Sequence, residues 1–326
     1  MNSAPVDVTL QINLSPGDVN YAEQIVAKIV CNHNNIENRM LIVDCCRPQK
    51  TKLINPDLRF PLNVFNKNLV KIKAIAEKLL ANKIVTRVYY LTPDDPLIGH
   101  LSKKYLNKLY QSTHAAGGTA NMSYWAAIEL CETRYLLHYD GDILLYQEKG
   151  YDWVQEAKSF MEKDNKIVIS VPRLCPPPTL NIPSLHEGRP LKEYQNYWLN
   201  DWFSTRQFLL DKSKFETYLP LPVGKIKFKL LLRKYLKRAF PIDPEILLFN
   251  SIGGRGGRRL VLKSTKAWII HPIQKNDEFV NILPQILLSV ENGIFPLEQK
   301  GHEDILHDKW LLFIAELDKN REAGDA

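Results

Sequence analysis

Short apolar runs alternate with stretches of helical spacing through the first half of the chain. The apolar runs predict strands at Val8–Leu14, 40–43, 85–91 and 135–139. Between them, apolar residues recur at helical intervals, which predicts helices from about Ala22, over 66–82 and over 121–132. Strands that alternate with helices form βαβ units, so we expect an α/β fold with a mostly parallel sheet flanked by helices.

The second half of the chain has a less regular pattern. A strand is predicted at 166–171, and a proline-rich loop follows it to about Pro190. A helix over 244–252, a strand at Ala267–Ile270 and a C-terminal helical stripe around Trp310 complete the elements.

These elements suggest a division of the chain. We expect a single domain over 1–275, with a nucleotide-binding half at 1–145 and an acceptor half at 146–275. Residues 276–326 would form a C-terminal helical extension that ends, from Asp318, in a loose polar tail.

Composition supports an ordinary globular protein. Of 326 residues, 45% are apolar and 24% charged, which excludes a disordered, collagen-like or coiled-coil chain. No apolar run is long enough to span a membrane, and residues 1–8 lack the features of a secretory signal. The five cysteines are odd in number and form no CxxC pair, so we expect a cytoplasmic protein without a disulfide framework.

The net charge of +7 is concentrated between Lys225 and Arg259. Residues 225–238 hold seven basic residues, and a helix there would carry an apolar stripe. We expect this stripe to pack on the protein with its lysines solvated. The second interpretation is peripheral contact with an anionic membrane, since basic amphipathic helices bind such surfaces. No module that reads nucleic-acid grooves is recognisable, so no nucleic-acid partner is expected.

The clearest candidate for chemistry is Asp140-Gly141-Asp142, which follows the apolar strand at 135–139. In parallel sheets, ligands bind beyond the carboxyl ends of the strands. Paired carboxylates there suit Mn²⁺ or Mg²⁺ that also binds a diphosphate. Two other interpretations stay open: a simple Asp-Gly turn, and a DxD phosphatase with Asp140 as nucleophile.

The order of motifs resembles that of GT-A nucleotide-sugar glycosyltransferases, especially the family 2-like ones. The resemblance is carried by a Gly-rich loop at 117–121 ahead of the strand with DxD, and by 41–44, 208–211 and 268–272 in the same order. It implies a GT-A, Rossmann-like fold and a metal-dependent transfer of a sugar to an acceptor hydroxyl, with inversion.

The resemblance also assigns roles to particular residues. It implies nucleotide-sugar contacts at Leu14, Ser15, Asp44, Gly118, Asn121 and Asp140. It implies metal ligation at Asp140, Asp142 and His271, and a catalytic base at Glu245, with Asp243 as second choice. Two departures leave the donor nucleotide open: Cys45-Cys46-Arg47 follows Asp44, and Thr119 stands where the family usually has Lys or Arg.

The acceptor is equally open, whether a glycan, a lipid-linked molecule or a protein. A sugar-phosphate nucleotidyltransferase is disfavoured, because no Gly-rich loop with Arg and Lys follows Leu14. A non-catalytic protein that binds membrane or nucleic acid through 225–238 is the remaining alternative.

Overall fold

The structure is a computed structural model that describes residues 7–236 and 242–324. The strands are β1 Val8–Leu14, β2 Asn38–Asp44, β3 Arg87–Leu91, β4 Tyr135–Asp140, β5 Leu144–Gln147, β6 Ile167–Val171, β7 Lys192–Glu193, β8 Tyr197–Asn200, β9 Gln207–Asp211, β10 Arg258–Leu262 and β11 Ala267–Ile270. The helices are α1 Ala22–Asn32, α2 Pro56–Arg59, α3 Leu62–Ala81, α4 Pro96–Leu106, α5 Met122–Leu130, α6 Trp153–Met161, α7 Lys212–Glu216, α8 Gly224–Tyr235, α9 Pro244–Ser251, α10 Asp277–Glu291 and α11 His307–Gly324.

Within the described residues, the main sheet has nine strands in the order β3-β2-β1-β4-β9-β6-β10-β8-β7. The pairings make β8 and β9 antiparallel to their neighbours, so the other seven strands share one direction. Helix α3 packs on β2 and β3, α5 on β1, β2 and β4, and α6 on β6 and β9. The predicted α/β class, with a mostly parallel sheet flanked by helices, is confirmed.

Strand β1 is buried along its whole length, although its sequence alternates apolar and polar residues. Its polar side chains pair inside the protein. Gln11 donates to Asn13 Oδ1 at 2.9 Å, and its Oε1 lies 2.5 Å from His138 Nδ1 on β4. Alternation predicts a half-exposed strand, but here buried polar side chains satisfy one another, as burial requires.

The last strand, β11, lies outside the main sheet and pairs antiparallel with β5, which follows the Asp-Gly-Asp turn. Trp268 on β11 stacks on Tyr146 of β5, with ring centroids 5.0 Å apart. The register pairs Ile270 with Leu144. This pairing brings the residues after β11 beside the residues that precede β5.

The C-terminal region differs from the predicted loose tail. Helix α11 continues to Gly324, so the residues from Asp318 to Gly324 are helical, and of the predicted tail 325–326 lie outside the described residues. Helix α10 packs on β5 and on α11, which attaches the predicted extension to the two-stranded sheet of β5 and β11. No helix in the described parts of the chain combines the length and apolar character needed to cross a bilayer.

The predicted basic helix is present as α8, but the expectation that its apolar stripe packs on the protein is wrong. Phe228, Leu231, Leu232, Tyr235 and Leu236 are all exposed. Residues 237 and 238 of the predicted stretch lie outside the described residues. Helical periodicity shows which side chains share a face, but whether that face is covered depends on distant parts of the chain.

Candidate functional site

A cleft of about 920 Å³ opens at the carboxyl ends of β1, β2 and β4. Because β1 pairs in parallel with both neighbours, the residues that follow these three strands meet at one edge of the sheet. The predicted site residues that line the cleft are Leu14, Ser15, Asp44, Gly118, Asp140, Asp142 and His271. The volume is of the size that holds small molecules.

The Asp-Gly-Asp turn packs directly against the end of β1. A Cβ atom at Gly141 would lie 2.5 Å from Cδ2 of Leu14 and 2.8 Å from the carbonyl oxygen of Asn13. Glycine is therefore required for this close approach of two backbone segments. The approach holds both aspartates beside the loop that follows β1.

Asp140 is fixed from two sides. The Tyr124 hydroxyl lies 3.0 and 3.2 Å from its carboxylate oxygens, and the Asp140 N–H donates to the Arg206 carbonyl at 2.7 Å. Its side chain is 23% exposed. Part of the carboxylate therefore stays open to a ligand in the cleft.

Asp142 is nearly buried and contacts two cationic or basic groups. The Lys275 ammonium donates to its Oδ2, and His271 Nε2 lies 3.7 Å from the same oxygen. Its Oδ1 is buried and has no hydrogen-bond partner within the described residues. A buried carboxylate oxygen without a partner costs stability, so this atom is a candidate to bind a ligand.

A third carboxylate, Asp18, lies beside this pair and was not predicted from the sequence. Its oxygens accept from the Ser15 N–H at 2.7 Å and from the Tyr21 hydroxyl at 2.5 Å. Burial raises the pKa of Asp18, while the nearby Lys275 opposes that shift. Burial alone would lower the pKa of Lys275, but Asp142 and Asp18 raise it above its usual value. Lys275 is therefore a fixed cation at the base of a carboxylate cluster.

The donor set suits a divalent cation that also binds a phosphate group. In the described residues, no three His, Cys, Asp or Glu side chains form a metal cluster by themselves. Asp142 and His271 nevertheless offer an unpartnered buried oxygen and an imidazole nitrogen close to each other. Mg²⁺ and Mn²⁺ commonly take few protein ligands and complete their shell with phosphate oxygens and water. The residues fit such an ion.

Asp44 occupies the part of the cleft at the end of β2. Its Oδ1 accepts from the Cys46 N–H at 2.9 Å, while its buried Oδ2 has no partner among the described residues. Burial raises the pKa of Asp44, and nearby His114 opposes the shift. Because Asp44 lines the cleft, this unpartnered oxygen is a candidate hydrogen-bond acceptor for a ligand there.

The Gly-rich loop contributes its turn to the cleft but not its asparagine. Gly118 has φ +88°, and a Cβ there would lie 2.5 Å from Cδ1 of Ile54. Asn121 is fully buried, does not line the cleft, and accepts from the Trp125 indole N–H at 2.5 Å. Its side chain thus holds the start of α5 against the interior.

Glu245 and Asp243 lie at the first turn of α9 and do not line the cleft. Asp243 Oδ1 caps the helix by accepting from the Glu245 N–H at 3.0 Å. Glu245 Oε1 accepts from the Thr205 N–H at 2.9 Å. The next residue along the chain, Arg206, does line the cleft, so the Glu245 carboxylate contacts the backbone directly beside a wall residue. Burial raises the pKa of Glu245, and Asp243 raises it further.

Charged residues from the C-terminal region complete the wall around His271. His271 Nδ1 lies 3.2 Å from Asp304 Oδ1, and the segment containing Asp304 pairs with the His271 backbone. Arg206 Nη1, from a separate part of the chain, lies 3.2 Å from Glu303 Oε1 and 4.0 Å from Asp304 Oδ1. Asp304 and Arg206 line the cleft and were not predicted from the sequence.

The sequence held a signal for only one of these missed residues. Ser15 and Asp18 form a capping box, in which each side chain bonds the backbone of the other. Lys275 and Asp304 reach the cleft through the pairing of β11 with β5 and through backbone contacts of 303–305 with His271. No local pattern indicates those long-range contacts.

Neither known family models nor characterised proteins match the sequence of this chain. Solved structures with a similar course of the chain include mouse xyloside xylosyltransferase 1 in its apo form, with 13% identity, 77% of this chain and 82% of that chain covered, and a TM-score of 0.36. Core-mannan synthase A from Aspergillus fumigatus, solved with Mn and GDP, has 11% identity and a TM-score of 0.35, with 78% of this chain and 70% of that chain covered.

The mannosyltransferase Ktr4p from S. cerevisiae, solved with GDP, has 11% identity and a TM-score of 0.34, with 77% of this chain and 66% of that chain covered. These structural neighbours are glycosyltransferases. At such identities and TM-scores, the function of this chain has to be inferred from its own cleft.

Proposed function

We propose that the protein is a metal-dependent glycosyltransferase of the GT-A type, which moves a sugar from a nucleotide-sugar donor to an acceptor hydroxyl. One observation carries the proposal. Two carboxylates that line the cleft each have a buried oxygen with no partner among the described residues, Asp44 at the end of β2 and Asp142 after β4. Strand β1 lies between them, so the two positions are about 10 Å apart, two strand spacings. A nucleoside diphosphate laid across the end of β1 would reach both.

Asp44 is proposed to bind the base. Its Oδ2 can accept a hydrogen bond from a base N–H, which offsets the cost of leaving this oxygen unpaired in a buried place. Uracil, thymine and guanine offer a ring N–H, and adenine and cytosine offer an exocyclic amino group, so this contact alone does not select the nucleotide. The donor that is turned over identifies the base.

Asp142 and His271 are proposed to hold the divalent cation, with Asp140 in its water shell or on the ribose. When bound, Mn²⁺ or Mg²⁺ neutralises charge that develops on the leaving diphosphate. Lys275 is proposed to bind the diphosphate. Its ammonium contacts Asp142 Oδ2, and a diphosphate bound beside that carboxylate would lie close enough to pair with the same ammonium. Lys275 thus supplies the phosphate-binding cation that is missing at Thr119.

Glu245 is proposed as the base that removes the proton from the acceptor hydroxyl as its oxygen attacks the anomeric carbon, so that configuration inverts. Two observations support this role. The Glu245 carboxylate accepts from the backbone N–H of Thr205, the residue before Arg206 of the cleft wall. Burial raises the pKa of the Glu245 carboxyl, which makes the carboxylate a stronger base. Asp243 caps α9 and positions this turn. The acceptor class, whether glycan, lipid-linked or protein, is left open.

The proposal is tested by incubating the protein with UDP-, dTDP- and GDP-sugars and Mn²⁺, and measuring release of the nucleoside diphosphate. We expect slow transfer to water from one donor type, abolished in Asp142→Ala. Asp318→Asn, an exposed aspartate on α11, serves as matched control and should keep the activity. Absence of turnover with all donors, or full turnover by Asp142→Ala, would contradict the proposal. Proton NMR of the released sugar would show whether the anomeric configuration inverts.

A further inference from the structure

Helix α8 carries an apolar stripe that the described chain leaves uncovered. Phe228 is 70% exposed, Leu231 46%, Leu232 49%, Tyr235 85% and Leu236 52%. These residues follow helical spacing, so their side chains form one continuous face. Scattered single apolar residues are normal on a protein surface, whereas a contiguous stripe of five large side chains marks an interaction site.

The opposite side of the helix attaches it to the protein. Leu230 is 1% exposed and belongs to the main core. At 100° per residue, Leu230 lies on the side of the helix opposite Phe228 and Tyr235. The exposed stripe is therefore held facing outward by packing, and is not the result of a helix that failed to dock.

Basic residues border the stripe on both flanks. By helical position, Lys225 and Lys229 lie on one side of it, and Lys227 and Lys234 on the other. No acidic residue occurs in residues 217–242. Long lysine side chains in these positions can extend their ammonium groups toward phosphate groups while the stripe enters an apolar layer.

The positive surface continues onto the neighbouring helix. Lys234 Nζ donates to the Lys108 carbonyl oxygen at 2.7 Å. Lys103 and Lys108 line the same shallow hollow as Lys234, and both are exposed. The region thus combines one apolar stripe with cations from two separate parts of the chain.

We propose that this surface binds the protein peripherally to an anionic membrane, with α8 lying in the headgroup layer. The charges and contacts of this surface favour a lipid layer over other occupants. A second copy of the same face would bring lysines against lysines, which like-charge repulsion opposes. A nucleic acid would match the cations but leave the three leucines of the stripe in water. An anionic lipid layer matches both.

This binding does not depend on glycosyl transfer, since α8 lies outside the cleft lining. The full chain is mixed with vesicles of phosphatidylcholine alone, or of phosphatidylcholine and phosphatidylglycerol in equal parts, and the bound fraction is measured by flotation. We expect binding to the anionic vesicles only, and weakening as salt rises. Phe228→Ser combined with Leu231→Ser should weaken it at least ten-fold. Lys225→Glu combined with Lys229→Glu should do the same.

The matched control changes two exposed leucines elsewhere. Leu180→Ser combined with Leu185→Ser, at residues 80% and 90% exposed in the loop after β6, should bind as the unchanged protein does. Thermal unfolding of each variant shows that the fold is kept. Equal binding to both vesicle types, unchanged binding of the Phe228 and Leu231 variant, or no binding at all would overturn the proposal. The proposal would also be overturned if light scattering showed that the unchanged protein is a dimer and that the Phe228 and Leu231 variant is a monomer.

Discussion

Asp304 gives His271 its orientation. The Asp304 carboxylate lies 3.2 Å from Nδ1, which leaves Nε2 on the side of Asp142. A carboxylate behind a metal-binding histidine fixes the ring and raises its basicity, and losing it typically costs ten- to a hundred-fold in metal affinity. We therefore predict that Asp304→Ala weakens Mn²⁺ binding by about that factor.

Calorimetric titration of Mn²⁺ in the presence of the nucleotide that binds would measure this loss. Glu298→Ala, which removes an exposed carboxylate in the same region, serves as the control and should leave the affinity unchanged. Equal affinity in Asp304→Ala would show that His271 does not act through this pair.

Glu245 should give the reaction a characteristic pH dependence. A base acts when deprotonated, so kcat/KM rises with pH through its pKa. Burial first, and Asp243 next, raise that pKa above the ordinary value of 4.5. We therefore expect kcat/KM to rise with pH through a midpoint above 4.5. We expect Glu245→Gln to have a kcat about a hundred- to ten-thousand-fold lower than the unchanged protein.

Asp243→Asn tests whether the rising limb of the pH profile belongs to Glu245. Asparagine caps helices about as well as aspartate, so the fold should be kept while one negative charge is lost. The pKa of Glu245 should then fall, and the limb should move to lower pH. A limb that stays in place, or a Glu245→Gln enzyme with normal kcat, would exclude Glu245 as the base.

Among the elements, the long loop after β6 is stabilised by a buried ion pair. Arg173 Nε lies 2.6 Å from Glu187 Oε1, and both side chains are inaccessible to solvent. Glu187 also accepts from the backbone N–H groups of Leu174 and Ser184. Removing one partner leaves a buried charge alone, so Glu187→Ala should lower the free energy of unfolding by about 3–5 kcal/mol.

Denaturant unfolding measures this change. Glu132→Ala, which breaks the exposed pair with Arg87, should leave the midpoint close to that of the unchanged protein. Replacing both Arg173 and Glu187 with apolar residues should cost less than Glu187→Ala alone, because no lone charge remains. A small effect of Glu187→Ala would mean that water reaches Arg173.

Much of the fold was predictable because it depends on local patterns. Parallel strands that alternate with helices are encoded in short-range periodicity, and their carboxyl ends place Ser15, Asp44 and Asp140 in one cleft. The pairing of β11 with β5 was not predictable, since it joins segments that are distant in sequence. Lys275 and Asp304 were therefore missed.

Burial was harder to predict than secondary structure. Asn121 has the position that the family resemblance gives to a ligand contact, yet it is fully buried and holds Trp125. The stripe on α8 was expected inside and is exposed. In both places the sequence pattern defines the element, and distant packing decides what its side chains contact.

The molecule as a whole is proposed to bind a nucleoside diphosphate and a divalent cation together, in one cleft. Calorimetric titration of UDP, GDP and dTDP, each with and without Mn²⁺, against the unchanged protein and Asp142→Ala tests it most directly. We predict that one of these nucleotides binds only with Mn²⁺ and that Asp142→Ala loses this binding. Absence of binding under every condition, or binding that needs neither Mn²⁺ nor Asp142, would contradict the claim.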